Sequence, residues 1–117
     1  MRSLILTFTL LCSAAVAQTT LIDPRFCGEP ARNADGTIKR STTQRAYFVH
    51  MHPCPATGQV TGSCTGWQVD HIIPLACGGC DAPMNMQWLD VRIKSCAGDA
   101  CKDRWERRVY ETTIPCK

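Results

Sequence analysis

The chain has 117 residues, 13 Lys plus Arg against 10 Asp plus Glu, and 9 cysteines. A chain of this length holds one domain, which excludes a multidomain enzyme, a repeat array and a nucleotide-binding α/β sheet of ordinary size. The formal net charge of +3 is too modest to define a nucleic-acid partner, so the placement of the charges matters more than their sum.

Arg2 is the only charge before Asp23, and an apolar run over 4–11 leads to the small-residue triplet Ala15-Val16-Ala17. A basic start, a short apolar run and an A-x-A end describe a secretory signal peptide over 1–17. The run is too short for a membrane anchor and is broken by Thr7 and Thr9. The expectation is therefore a secreted chain, extracellular or periplasmic if the source is a Gram-negative bacterium. No membrane partner is expected after cleavage at Gln18. Loss of Arg2 leaves 12 basic against 10 acidic residues.

Eight cysteines follow the signal: Cys27, Cys54, Cys64, Cys77, Cys80, Cys96, Cys101 and Cys116. Only 16 residues after position 17 are Leu, Ile, Val or Phe, a thin supply for a core. Small secreted domains make up such a shortfall with disulfides, so the even count predicts four bridges, with the pairing left open. Two metal alternatives stand beside this. Cys77-Gly-Gly-Cys80 with Cys96 and Cys101 has the look of a four-thiolate zinc site. His50-x-His52-x-Cys54 would put three ligands on one face if extended.

Residues 18–65 read as a polar, turn-rich N-terminal part that shares one domain with 66–117. Asp35-Gly36 is placed to turn a hairpin. Ser41-Thr-Thr-Gln44 has capping-box spacing, which predicts a helix over 42–49 that Pro53 and Pro55 stop. Gly58, Gly62 and Gly66 keep the next stretch in loops. Residues 67–73 alternate apolar and polar and predict a strand ending near Pro74, and 75–84 a loop. Residues 85–89 predict a second strand. Asp99 caps a helix over 99–110, on which Cys101, Trp105 and Val109 mark a buried face. With aliphatic residues scarce, at least two of Trp67, Trp88 and Trp105 belong in the core.

Val69-Asp70-His71-Ile72-Ile73-Pro74-Leu75, then Gly78-Gly79, then Asn85-Met86-Gln87-Trp88 resembles the HNH endonuclease family over 66–106. An ordered set of residue types over some twenty positions is a specific signal, where a bare Asp-His pair would not be. The resemblance implies an α+β fold: a small disulfide-rich domain built around a ββα-metal finger. It implies an endonuclease that hydrolyses phosphodiester bonds with little sequence specificity. The partner expected is nucleic acid, DNA first and RNA as the alternative; any protein partner is unknown. His71 matches the general base that activates water, and its neutral imidazole suits that task near neutral pH. Asn85 matches the central asparagine that ties the loop between the strands. Asp70 matches a ligand of one divalent cation. Carboxylate oxygen favours Mg²⁺ or Mn²⁺, while imidazole-containing sites also take Zn²⁺ or Ni²⁺. Adjacent strand residues point to opposite faces, so Asp70 and His71 can share a site only if the strand end twists.

The chain departs from the family nine residues after Asn85, where a His or Asn ligand is usual and Lys94 stands here. Residues 95–101 look like an insertion looped out by a Cys96–Cys101 bridge. Lys102-Asp103-Arg104-Trp105-Glu106 resembles the helical K-D-R-x-E segment of some divergent members, so Asp103 or Glu106 would supply the missing oxygen. With Cys101, Trp105 and Val109 inward, helical geometry brings Glu106 nearer than Asp103. The plain alternative is a Lys102–Glu106 ion pair on a solvated face. Arg92, Lys94, Arg104, Arg107 and Arg108 are the candidates for phosphate contacts. A different class of function stays open: a catalytically inactive, cysteine-rich secreted binding protein or toxin on an HNH-like scaffold.

Overall fold

The computed structural model describes residues 22–96, 101–103, 106 and 116. Helix α1 spans Thr42–Met51. Its N-cap is Ser41, whose Oγ accepts a hydrogen bond from the Gln44 backbone N–H at 3.2 Å. Half of the expected capping box is thus present. The other half is not, because the Ser41 backbone N–H donates to Asp81 Oδ2 at 2.5 Å instead of to Gln44. The helix runs two residues past the expected 49. His52 N–H closes it on Phe48 O, and Pro53 follows at once.

Strand β1 is Trp67–His71 and strand β2 is Met86–Asp90, paired antiparallel with Trp67 opposite Asp90 and His71 opposite Met86. The expected first strand ended near Pro74, and it stops earlier because Ile72 and Ile73 turn to bond Asn85 rather than to extend the ladder. Ile72 N–H donates to Asn85 O, and Ile73 N–H to Asn85 Oδ1. Asn85, expected to open the second strand, ends a 3₁₀ turn over Pro83–Asn85. A second such turn, Leu75–Cys77, lies in the same loop. A single helical turn, α2, follows β2 over Val91–Lys94, capped by Asp90. No helix was expected there, since its apolar residues are too few to show a period.

Phe48 and Val49 of α1 bury against Met86, with Val69 and Trp88 packed alongside. Trp88 also ties strand to helix, its Nε1–H donating to His52 O at 2.8 Å. Trp67 and Trp88 are both half-buried, and Trp105 lies outside the described residues. The Asp35-Gly36 turn forms, with Asn33 N–H on Thr37 O and a bridge between Arg32 and Ile38.

Four disulfides join Cys27 to Cys80, Cys54 to Cys64, Cys77 to Cys116 and Cys96 to Cys101. They remove both metal alternatives that drew on cysteine. The four thiols of the zinc reading are oxidised in three separate bridges, and Cys54 is bonded to Cys64. His50 sits on the helix, not on an extended segment. The first bridge is reinforced by backbone contacts: Cys27 N–H donates to Gly78 O and Cys80 N–H to Arg25 O. The N-terminal segment is thereby laid along the loop between the strands.

The architecture is therefore small, α+β and disulfide-braced. Of the expected C-terminal helix over 99–110, Lys102, Asp103 and Glu106 are described and helical. Cys101, expected on the buried face, is 1% exposed and stands in a bend just before them. The rest of that helix, and the expected signal peptide over 1–17, lie outside the described residues. Among the described residues no helix is long and apolar enough to cross a membrane.

Candidate active site

The loop between β1 and β2 is organised around Asn85, which is 0% exposed. Its Oδ1 accepts from Ile73 N–H, and its Nδ2 donates to Ile73 O and Cys80 O, all at 2.9 Å. One amide side chain thus satisfies three backbone groups that the folded loop would otherwise bury without partners. Gly79 is required beside it, because a Cβ there would stand 2.0 Å from Ile73 O and 2.7 Å from Asn85 Nδ2. The loop so held delivers Asp81 to His71.

His71 Nε2 lies 2.9 Å from Asp81 Oδ1. A carboxylate only accepts, so the neutral imidazole carries its proton on Nε2 and keeps its lone pair on Nδ1. Asp81 also holds the Ser41 N–H, so one carboxylate orients the histidine and docks the start of α1. Sequence reading did not single out Asp81. Its only signal is an acid one residue beyond Gly-Gly-Cys, which has no meaning until the loop folds back.

Asp70 is buried at 7% exposure. Its Oδ1 pairs with Lys94 Nζ at 3.1 Å, and its Oδ2 pairs with Lys102 Nζ. Lys102 Nζ also pairs with Glu106 Oε1 and donates to the His71 carbonyl at 2.8 Å. Burial alone would raise the Asp70 pKa, but Lys102 and then Lys94 outweigh it and hold the carboxyl below its ordinary value. Burial would lower that of Lys102, but Asp70 and Glu106 hold it above its ordinary value. Burial also raises Glu106, and Lys102 offsets this only in part. Asp70 and His71 line one cavity of about 250 Å³ together with Arg40, Lys94, Asp103 and Glu106. Arg40 is a further cation that sequence reading did not name.

Asp103 turns its carboxylate to Ser95 Oγ at 3.1 Å rather than to Lys102. Arg92 is exposed and paired with Asp90, whose carboxyl it holds down at about 2. Lys94 is spent on Asp70, so of the five expected phosphate contacts Arg92 alone among the described residues projects into solvent. Arg104, Arg107 and Arg108 lie outside them.

Among the described residues no three His, Cys, Asp or Glu side chains gather as a metal centre. What does gather is a set of oxygens around one cation: two carboxylates and a backbone carbonyl converge on Lys102 Nζ. These are hard donors of the kind Mg²⁺ or Mn²⁺ takes, and the ammonium marks where a cation fits. Comparison with known proteins brings no match: no protein-family model fits the chain, and neither a curated protein nor a solved structure matches it.

Proposed function

We propose that the chain is a secreted endonuclease of the HNH type, hydrolysing phosphodiester bonds in DNA, with RNA as the alternative substrate. In this reading β1, β2 and the helix carrying Lys102 and Glu106 are the ββα finger. The observation that carries it is that His71, held by Asp81, lines one cavity with Asp70 and Glu106, the two carboxylates that share Lys102. His71 Nδ1 takes a proton from the attacking water while Asp81 holds the ring and stabilises the imidazolium that forms. Asn85 keeps the loop carrying Asp81 in place. Arg40 supplies positive charge for the flanking phosphates without reading bases, and Arg92 joins it only by exchanging Asp90 for a phosphate. Asp70 and Glu106 would hold the divalent cation, which when bound neutralises charge developing on the phosphate and the leaving oxygen.

The lysines on Asp70 favour a second reading, an inactive nucleic-acid-binding scaffold. Nicking of supercoiled plasmid by the oxidised chain, with Mg²⁺ or Mn²⁺ and with chelator, separates the two. The nuclease reading expects metal-dependent nicking that falls at least about 100-fold in folded His71→Ala. Equal inertness of wild type and variant across metals would falsify it and leave the scaffold.

A further inference from the structure

We propose that Lys102 is the resident occupant of a divalent-cation cage, its ammonium holding the oxygens of Asp70, Glu106 and the His71 carbonyl together until a hard divalent ion displaces it. The inference deepens the nuclease reading and rests on it for the use made of the ion. The binding itself rests on geometry.

An i,i+4 Lys–Glu pair on a helix is common and contributes little. Lys102 does more than that: its side chain is 12% exposed and reaches across to β1, where it takes Asp70 Oδ2 and the His71 carbonyl. Two oxygens from the end of β1, one of them on a residue 31 positions from Lys102, converge on its nitrogen with one from its own helix, and no nitrogen or sulfur donor is among them. That is the donor preference of Mg²⁺ or Mn²⁺, which commonly binds through one or two carboxylates and leaves its other positions to water and phosphate oxygen.

Charge makes displacement, rather than addition, the way in. Asp70 and Glu106 are balanced by Lys94 and Lys102, so the cluster is neutral as it stands. A divalent ion added to it would leave two uncompensated positive charges in a half-buried site, where like charges repel strongly. Exchange for Lys102 leaves one, which a phosphodiester anion balances. The flexible four-carbon stem of a lysine lets the ammonium swing out without moving the backbone.

Titration with Mn²⁺, free ion read by electron paramagnetic resonance, tests this on the oxidised chain. Lys102→Met is expected to bind Mn²⁺ at least about tenfold more tightly than wild type. Glu106→Gln and Asp70→Asn are each expected to lose that binding. A Lys102→Met affinity equal to wild type overturns the cage, as does Mn²⁺ binding indifferent to Asp70→Asn. If Lys102→Met fails to fold, acetylation of wild-type amines read by mass spectrometry decides. Mg²⁺ should speed labelling of Lys102 while exposed Lys39 is unchanged, and unchanged Lys102 labelling overturns the inference. Plasmid nicking is measured in parallel. Nicking without the affinity gain sinks the cage alone, and the gain without nicking leaves the cage and sinks the nuclease.

Discussion

Asn85 illustrates how much one polar side chain can decide when it is sealed from water. Its amide answers an N–H and two carbonyls of the loop it closes, and none of the three would find water in its absence. Asn85→Ala is therefore expected to destabilise the fold by about 3 kcal/mol, from buried groups left unpaired. Urea denaturation measures the loss, and amide exchange should localise it to 72–81. Asp70 and Lys102 are a similar case for charge. Neither is tolerable alone at such burial, and each holds the other ionised. Asp81 is the least anticipated of these residues, since its two partners, His71 and the Ser41 N–H, lie 10 and 40 positions away.

At the scale of elements, α1 is short and its apolar face is narrow, so its ends matter. Ser41→Ala removes the Oγ acceptor for the Gln44 N–H and should cost about 1 kcal/mol in thermal or urea unfolding. The strand pair needs help of a different kind, because an isolated two-stranded hairpin is marginal in water. Help comes from α1, which packs on Met86, Val69 and Trp88, and from the N-terminal segment, which Cys27–Cys80 stitches to the loop between the strands. The loops closed by the bridges differ in length, with separations of 53 for Cys27–Cys80 and 10 for Cys54–Cys64. In the loop-entropy account, replacing the first pair by serines should cost about 4 kcal/mol and the second about 3. Denaturation of the two double variants under oxidising conditions checks the order.

For the whole molecule, the coupled charges between β1 and residues 102–106 set how stability follows pH. The Asp70 pKa is depressed, so its contribution is present above the ordinary 3.8 and is lost as pH falls through the lower folded value. Glu106 is raised, so it works the other way, and folding loses stability as pH climbs from 4.5 through its folded value. Lys102 is raised, so its contribution holds below 10.5 and fades as pH rises through the folded value. Urea midpoints of the metal-free chain should therefore fall on strong acidification, and Asp70→Asn should flatten that acid limb. An unchanged limb in the variant would show that other carboxylates govern it.

Much of the architecture was legible because it rests on local chemistry. Ser41 and Pro53 bound α1, alternation marks β1, and Asp35-Gly36 turns the chain, each through backbone preferences that act within a few residues. Eight cysteines and few aliphatic side chains foretold four disulfides, since a core this small needs cross-links. The order of Asp70, His71, Gly79 and Asn85 likewise marked the loop that Asn85 organises. The partners of those residues were beyond sequence. Which cysteines pair, that Asp81 rather than Gln44 takes the Ser41 N–H, and that Asp70 meets Lys94 and Lys102 are consequences of chain segments brought together over tens of residues. Burial then makes the outcome strict: a charge or amide removed from water needs a partner within hydrogen-bond reach, and only the tertiary fold decides which one stands there.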